Sequence, residues 1–229
     1  ELNCEVTGLL LGDNVDGIQA RVEAALTSAQ AQGIGGVAGV IEVSDSKSVI
    51  KLSASGTVTG TLPTGDTARG IGGIAGSLTT NGAAVKTLTN SAAVTGNRSV
   101  GGIAGYFSGK DQATGKDMAD CQNEGLILSS TAADDHSLAG HYIGGIVGYG
   151  EQSVLYDCET EANGYVLGSE YVGGIIGENK GGSTIKNCVN TGVVAGYNVF
   201  IGGICGANEN NAAIINCASY VSDTNNAIY

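Results

Sequence analysis

The sequence is poor in the residues that normally build a large globular core. It contains no Trp, one Pro and two Phe, whereas 39 of its 229 residues are Gly. A conventional globule of this length buries bulky aromatic side chains in one core. The near absence of Pro and of a three-residue Gly period excludes collagen, and 42% apolar against 14% charged residues argues against disorder. We therefore expect an ordered β architecture punctuated by Gly.

Basic residues and long apolar runs are also scarce. Ten Lys and Arg against 22 Asp and Glu give a net charge of −12, so most of the surface repels a polyanion and nucleic acid is not expected as a partner. No apolar run approaches the roughly 20 residues needed to cross a bilayer, so no membrane insertion is expected. Because the sequence begins at Glu1 without a signal segment, we expect a processed chain or a fragment of a longer protein.

One phrase, (I/V)-G-G-(I/V)-x-G, recurs six times. Its first Gly falls at positions 35, 72, 101, 144, 173 and 202, so successive spacings are 37, 29, 43, 29 and 29 residues. The unit is therefore 29 residues, with insertions of 8 and 14 residues in two copies. Repetition at a fixed period of this length indicates stacked structural units.

A second phrase follows each Gly-Gly by about half a unit. It is clearest in IKNCVNTGVVAG at 185–196, and both ends of the chain carry related segments, at 3–12 and 216–221. Together the two phrases resemble the GLUG-motif repeats of bacterial extracellular and cell-surface proteins, including non-catalytic regions of immunoglobulin A peptidases. The resemblance covers residues 3–12 and about 34–221. It implies a surface or adhesion module without a shared catalytic set.

A unit with three short β-prone segments cannot bury its own apolar side chains, but stacked copies can. Each coil would add one strand per face at about 4.7–4.9 Å. The repeat therefore predicts an all-β fold, a parallel β-solenoid (β-helix) of about six coils. Two buried stacks are expected, one of Ile71, Val100, Ile143, Val172 and Ile201, the other of Ile74, Ile103, Ile146, Ile175 and Ile204. A β-propeller is the rival, but its blades usually carry Trp-based signatures.

The chain is expected to be one solenoid domain over residues 1–229, with loop insertions at 61–71, 107–118 and 130–142. A further insertion at 14–32 is expected to be a helix, capped by Asp13 or Asn14 and ended by Gly33. Its apolar residues at helical spacing are Ile18, Val22, Ala25, Leu26 and Ala29. We expect this helix to pack on the end or flank of the solenoid and protect a sheet edge; a partner-binding helix is the alternative.

The six Cys are predicted to be buried thiols. One repeat position holds either Cys or Leu: Cys4, Leu52, Leu88, Cys121, Cys158, Cys188 and Cys217. Residues that exchange with Leu are most simply small apolar groups, although an extracellular compartment would favour disulfides. Because these Cys lie about 30 residues apart without C-x-x-C, no metal is expected, and no cofactor either. The residues before them, including Asn187 and Asn216, predict a polar ladder at a corner.

An aromatic stripe is the candidate ligand site. Tyr142, Tyr171 and Phe200 stand two residues before Gly144, Gly173 and Gly202, where earlier coils have Gly33, Gly70 and Ser99. If the Ile or Val after each ring points inward, strand alternation turns the rings outward at about 5 Å intervals. The stripe either stabilises the face by stacking or offers rings to a sugar or protein, with His136 and His141 of the neighbouring insertion beside it.

Three classes of function remain. The favoured one is a non-catalytic, monomeric recognition or adhesion module at the bacterial cell surface, with an extracellular glycan or protein as partner, because insertions concentrate at one corner of the coil. A passive stalk is the alternative. A polysaccharide-cleaving β-helix enzyme needs clustered carboxylates with a Lys or Arg base. The ten basic residues are scattered singly, so no enzyme is expected.

Overall fold

The computed structural model describes residues 18–25, 33–44, 49–62, 70–109, 117–130 and 141–220. Within this part of the chain every regular element is a β-strand, and every strand pair is parallel. The strands form a parallel β-solenoid of about five turns, which confirms the predicted all-β solenoid with about one complete coil fewer than expected. The coil that begins at Ile201 is a partial sixth turn.

Each turn contributes strands to four sheets. Sheet 1 holds the start of the Gly-Gly phrase: β2 (Ile34–Gly35), β6 (Ile71–Gly72), β11 (Val100–Gly101), β16 (Ile143–Gly144), β21 (Val172–Gly173) and β26 (Ile201–Gly202). Sheet 2 follows it: β3 (Ala38–Ser44), β7 (Ala75–Asn81), β12 (Ala104–Gly109), β17 (Val147–Glu151), β22 (Ile176–Lys180) and β27 (Cys205–Asn208).

Sheets 3 and 4 complete the turn. Sheet 3 contains β4 (Val49–Ile50), β8 (Val85–Lys86), β13 (Met118–Ala119), β18 (Val154–Tyr156), β23 (Thr184–Lys186) and β28 (Ala213–Ile215). Sheet 4 has eleven strands: β1 (Ile18–Ala25), β5 (Ser53–Thr61), β9 (Thr89–Asn90), β10 (Ala93–Gly96), β14 (Gln122–Asn123), β15 (Leu126–Ser129), β19 (Glu159–Thr160), β20 (Tyr165–Gly168), β24 (Val189–Asn190), β25 (Val193–Gly196) and β29 (Ala218–Ser219).

The predicted stacks are confirmed in register, and all but their last members are fully buried. In sheet 1, Val100 pairs with Ile71 on one side and with Ile143 on the other. The second stack is linked by backbone hydrogen bonds, such as that from the N–H of Ile103 to the carbonyl of Ile146 at 2.9 Å. Ile201 departs from the prediction, because it is 43% exposed. No described strand pairs with β26 on its far side.

The glycines of the repeated phrase are required because atoms of the same coil and of the adjacent coils pack closely against their backbone. A Cβ on Gly173 would overlap the carbonyl of Ile176, and one on Gly174 would lie 2.6 Å from Nδ2 of Asn190. A Cβ on Gly177 would lie 2.5 Å from the backbone nitrogen of Ile143 in the preceding coil. Real Cβ atoms are never accommodated at such separations without backbone movement. Steric exclusion at three positions per coil therefore explains why the phrase recurs.

The interior contains two apolar clusters and a buried polar ladder between them. One cluster is built around Ile74, Ile103 and Phe107, and the smaller one around Ile71 and Val100. The ladder consists of the buried residues Asn90, Asn123, Thr160 and Asn190, and it ends at Ser219, which is exposed in the last described coil. Hydrogen bonds satisfy these polar groups: Asn90 Nδ2 donates to Asn123 Oδ1 at 2.8 Å, and Thr160 Oγ1 donates to the carbonyl of Gly174 at 2.6 Å.

The corner between sheets 3 and 4 uses left-handed backbone. Asp120, Asp157, Asn187 and Asn216 have φ between 52° and 55°, a region that Asn and Asp tolerate better than most residues. The predicted corner position is therefore correct, but the described polar ladder runs through Asn90 and its equivalents instead. The next residue of each coil is Leu52, Leu88, Cys121, Cys158, Cys188 or Cys217, and these pack in the larger apolar cluster.

The thiols of the described coils are free. Cys121, Cys158 and Cys188 are buried, whereas Cys205 and Cys217 are partly exposed. The backbone N–H of Cys188 donates to Sγ of Cys217 at 3.4 Å, which places the two residues in neighbouring coils of one column. The prediction of an interior column of unpaired sulfurs is thus confirmed for these residues. Cys4 lies outside the described residues.

The helix expected at 14–32 is not found in the described part of that range. Residues 18–25 form strand β1, which pairs in parallel with β5 through eight residues, from Ile18 opposite Ala54 to Ala25 opposite Thr61. The segment IQARVEAA alternates apolar and polar residues through position 24, which fits a strand as well as the helical spacing fits a helix. The open edge of β5 favours the strand, since it supplies backbone hydrogen-bonding partners.

Most of the predicted loop insertions fall outside the described residues, which omit 63–69, 110–116 and 131–140. The strands that flank them do belong to the solenoid: β5 extends to Thr61, β12 to Gly109, and β16 begins at Ile143. The described part of the chain contains no helix of the length and apolar character that a membrane span requires.

Candidate binding site

The aromatic stripe, Tyr142, Tyr171 and Phe200, forms as predicted on one corner of the last coils. The ring centroids of Tyr142 and Tyr171 are 5.1 Å apart with planes tilted by 59°. Those of Tyr171 and Phe200 are 4.7 Å apart with planes at 19°. The coil-to-coil rise of the solenoid therefore sets the ring spacing.

The stripe continues onto sheet 2 through two buried tyrosines. The Tyr142 ring lies 5.0 Å from the ring of Tyr149, which in turn stacks on Tyr106 at 5.9 Å with an interplanar angle of 10°. Tyr106 and Tyr149 are directly opposite each other in register, and both are buried. Five aromatic rings thus form one continuous set across four coils, although sequence reasoning identified only three of them.

The stacking decides which ring surfaces a ligand can reach. Offset-stacked neighbours cover part of each other's faces, so Tyr171, which has a ring on either side, presents mainly its edge and hydroxyl. Phe200 stands at the end of the described stack and is 48% exposed. It is therefore the ring with the most accessible surface, and the expectation that all three offer open faces is too simple.

The backbone is left-handed at two of the three stripe residues. Tyr171 has φ of 47° and Phe200 has φ of 59°, so the two residues do not follow the strand alternation from which their outward direction was predicted. Bulky side chains rarely adopt this conformation, because Cβ crowds the following carbonyl. Gly206 makes room for it: a Cβ there would lie 2.6 Å from the carbonyl carbon of Tyr171 and 2.7 Å from the carbonyl oxygen of Phe200.

A buried carboxylate lies among the tyrosines. Glu178 occupies the sheet 2 position next to Tyr149 in register and is 2% exposed. Lys180 Nζ donates to its Oε1 at 3.0 Å and lies 3.7 Å from Oε2 of Glu209. Hydrogen bonding to Glu178 raises the pKa of Lys180, so this ammonium stays charged and partly compensates the two acids.

Burial and these acids also raise the pKa values of the neighbouring tyrosines. Desolvation raises the pKa of Tyr142 and Tyr149 well above the usual value for tyrosine, and the nearby Glu178 adds to the effect in both. The pKa of Tyr171 rises for the same reasons, with Glu209 and Glu170 contributing after Glu178. The stripe is therefore a neutral aromatic surface within a negative field at all physiological pH values.

A column of ionisable residues, Arg98, His141 and Glu170, lies one residue before the stripe position in three consecutive coils. All three are buried, with His141 only 5% exposed. The Oγ of Ser169 lies 3.4 Å from Nδ1 of His141, and Asn198 Nδ2 donates to Oε1 of Glu170 at 2.8 Å. His141 was predicted to face a ligand beside the stripe, but its burial removes it from the accessible surface. His136 lies outside the described residues.

Sequence reasoning missed Tyr106, Tyr149 and Glu178 as neighbours of the stripe. They follow the third Gly of the phrase or its equivalent directly, at Gly105, Gly148 and Gly177. That shared position was a usable signal, because residues at one repeat position stack in a solenoid. Among the described residues, no group of three His, Cys, Asp or Glu side chains converges as a metal site would require.

The architecture defines a repeat solenoid with one aromatic corner. Comparison with known families agrees with this class: residues 168–195 match the GLUG motif, which is the resemblance that the repeated phrases predict. The matched segment runs from the last residue of β20 through most of β25 and so spans about one coil. No curated protein and no solved structure shows significant similarity to the chain. The GLUG motif and the β-solenoid fit a repeat module of a surface protein.

Proposed function

We propose that this solenoid is a non-catalytic recognition module of a bacterial cell-surface or secreted protein, and that the aromatic stripe is its contact for an extracellular glycan or protein. The observation that carries the proposal is the left-handed backbone of Tyr171 and Phe200. Earlier coils place Gly33, Gly70 and Ser99 at this position, and Ser99 is also left-handed, with φ of 41°, so the fold does not require a ring there.

A comparison of backbone strain with stacking energy supports a role for Tyr171 and Phe200 beyond packing. A non-Gly residue in left-handed backbone costs about 1–2 kcal/mol, whereas an aromatic pair contributes about 0.5–1.5 kcal/mol beyond area burial. The two effects nearly cancel, so stacking alone gives little reason to keep rings at Tyr171 and Phe200. Strain of this kind is commonly found where a residue serves binding. The exposed ring of Phe200 supplies the accessible apolar surface that a ligand needs.

The charged residues around the stripe indicate which class of ligand it can bind. Glu170, Glu178 and Glu209 all act on Tyr171, with Lys180 as the opposing charge. This excess of carboxylates disfavours an acidic ligand. A neutral sugar fits best, since its apolar ring face can lie on Phe200 while its hydroxyls donate to the carboxylate of Glu209, whose side chain is 47% exposed. A protein segment without acidic side chains is the second ligand class.

A passive spacer is the competing proposal, and the regular register of all six Gly-Gly phrases favours it. A screen separates the two: the purified chain is applied to an immobilised glycan array and to a panel of matrix proteins. Under the recognition proposal, at least one neutral glycan or protein is retained and Phe200→Ala reduces the signal. Uniformly negative panels would favour the spacer. Tyr165→Ala, on the outer face of sheet 4, is the matched control because it removes a partly exposed ring outside the stripe.

A further inference from the structure

Four thiols form an uninterrupted interior column. Cys121, Cys158, Cys188 and Cys217 occupy the same position in four consecutive coils, and all four are free. The backbone N–H of Cys158 donates to Sγ of Cys188, and that of Cys188 donates to Sγ of Cys217, both at 3.4 Å. The carbonyl of Cys121 accepts from the N–H of Glu159, the residue after Cys158, at 2.8 Å. Every thiol of the column therefore has another one coil away.

The spacing of the coils limits which bonds the column can form. Neighbouring strands lie about 4.7–4.9 Å apart, inside the Cα separation of about 4.4–6.8 Å that a disulfide spans. Thiols two coils apart are about 9.5 Å from each other and cannot be bridged without unstacking the coil between them. Only three bonds are open: Cys121–Cys158, Cys158–Cys188 and Cys188–Cys217.

The exposure of Cys217, at the end of the column, indicates which of these three disulfides form. Cβ atoms in parallel register stand farther apart than the roughly 3.8 Å typical of disulfides, so two coils must draw together locally to bond. Cys217 lies in the last described coil and is partly exposed, whereas Cys121, Cys158 and Cys188 are buried. Reaction therefore starts at Cys217, whose only neighbour in the column is Cys188. Once these two are joined, Cys158 can pair only with Cys121.

We propose that the column is a two-disulfide staple, Cys188–Cys217 and Cys121–Cys158, formed when a small-molecule disulfide such as oxidised glutathione is present. The thiolate of Cys217 attacks the glutathione disulfide, forms a mixed disulfide and releases one glutathione thiolate. The Cys188 thiolate then attacks Sγ of Cys217 and releases the second. Two protein thiols and one glutathione disulfide thus become one protein disulfide and two glutathione thiols, and the same balance holds for Cys121 and Cys158.

The surroundings of the thiols set the conditions for this exchange. Hydrogen bonding to Cys188 and then burial raise the pKa of the Cys217 thiol well above its usual range. Because the thiolate is the attacking species, exchange in the folded protein is slow at neutral pH and accelerates in alkaline solution. Each bond would hold two coils together and limit the freedom of the unfolded chain, so the oxidised protein should melt at a higher temperature. This inference is independent of the proposed binding function.

The pairing can be read directly from a tryptic digest. The chain is unfolded, refolded with mixed reduced and oxidised glutathione, alkylated and cleaved without reduction. Trypsin cleaves after Lys116, Lys180 and Lys186, and no Lys or Arg occurs within 117–179 or 187–229, so Cys121 and Cys158 stay in the peptide 117–180 and Cys188, Cys205 and Cys217 in the peptide 187–229. We expect each peptide to lose two hydrogens, with no cross-link between them. Cys205 lies in the sheet 2 column opposite Ile176 and should be alkylated, which makes it an internal control.

Two variants sharpen the result. Cys205→Ser should leave the mass loss in 187–229 unchanged. Cys188→Leu introduces the side chain that the column already carries at Leu52 and Leu88; it should abolish the bond in 187–229 and leave the bond in 117–180. A cross-link between the two peptides, from Cys158 to Cys188, would overturn the proposed pairing. Complete alkylation of all four column thiols after refolding in excess oxidised glutathione would overturn the staple itself.

Discussion

Phe200 stacks on Tyr171 with ring centroids 4.7 Å apart, although both residues hold the left-handed backbone that Gly adopts most readily. The pair therefore combines a locally unfavourable conformation with a regular surface arrangement. Gly206, which packs against the backbone of both residues, makes the conformation possible. The repeat builds the stacked coils, and the coils form without rings at this position, since earlier ones have Gly33, Gly70 and Ser99 there.

Substituting Tyr171 tests the backbone strain. Tyr171→Gly and Tyr171→Ala remove the same ring, but only Gly is relaxed at φ of 47°. The Gly variant should therefore be more stable than the Ala variant by about 1 kcal/mol, measured as the difference in free energy of unfolding in urea. An Ala variant as stable as the Gly variant would mean that the left-handed backbone is not strained.

The buried ladder predicts a larger loss of stability. Asn123→Ala removes the acceptor for Asn90 Nδ2 and the side chain that bonds the backbone N–H of Gly125. Leaving buried polar groups unsatisfied costs about 1–3 kcal/mol, so the urea midpoint should fall clearly. The matched control is Gln122→Ala, one residue earlier and exposed, which should change the midpoint little. Equal effects of the two substitutions would contradict the ladder.

The glycine phrase predicts a stronger effect from one methyl group. A Cβ on Gly102 would lie 2.5 Å from Oδ1 of Asn123 and closer still to the carbonyl of Gly145. Gly102→Ala should cost more than about 3 kcal/mol or prevent folding, because both neighbours are fixed by the stack. Gly181→Ala is the control, since its nearest atoms are 3.8 Å away and only its φ of 65° adds strain of about 1 kcal/mol. A mild effect at Gly102 would show that adjacent coils can separate.

Alkaline titration tests the electrostatics of the stripe. Burial, followed by Glu178, raises the pKa of Tyr142 above its unfolded value of 10.0. The neutral phenol is therefore favoured in the folded state, and the associated stability is complete below pH 10 and declines as pH rises further, because the unfolded chain loses tyrosine protons first. Ultraviolet titration should show Tyr142 and Tyr149 ionising after the exposed tyrosines.

Glu178→Gln provides the matched variant for that titration. It should lower the pKa of Tyr142 and Tyr149 only in part, since burial remains the first cause of both shifts. Glu209→Gln should act on Tyr171 and not on these two, because Glu209 contributes to the shift of Tyr171 alone among them. If Glu178→Gln left both titrations unchanged, the placement of its carboxylate among the tyrosines would be wrong.

Much of the framework could be predicted because a solenoid converts sequence period into spatial register. Ile71, Val100 and Ile143 stack one above another for the same reason that they recur in the sequence. The ring spacing at Tyr142, Tyr171 and Phe200 followed from the same rise. The direction of these rings could not be derived from strand alternation, since the left-handed backbone at Tyr171 and Phe200 depends on room provided by glycines of another coil segment.

Elements that depend on distant pairing were harder to predict. Residues 18–25 satisfy helical and strand patterns together, and the open edge of β5 decides in favour of the strand. The Asn90 ladder was missed because its position also holds Thr160 and Ser219, so no single residue type marks it. His141 looked available because it lies beside an insertion, but its coil position matches buried Arg98 and Glu170.

The most direct test of the stripe is the affinity of Tyr171→Ala for the tightest-binding array glycan or matrix protein, measured by calorimetry beside wild type, with Tyr165→Ala as control. Loss of the central ring should weaken binding at least tenfold while the melt stays cooperative and shifts only slightly, and Tyr165→Ala should bind as wild type does. Unchanged binding by Tyr171→Ala, together with a clearly weakened fold, would contradict the account and make the stripe a structural feature.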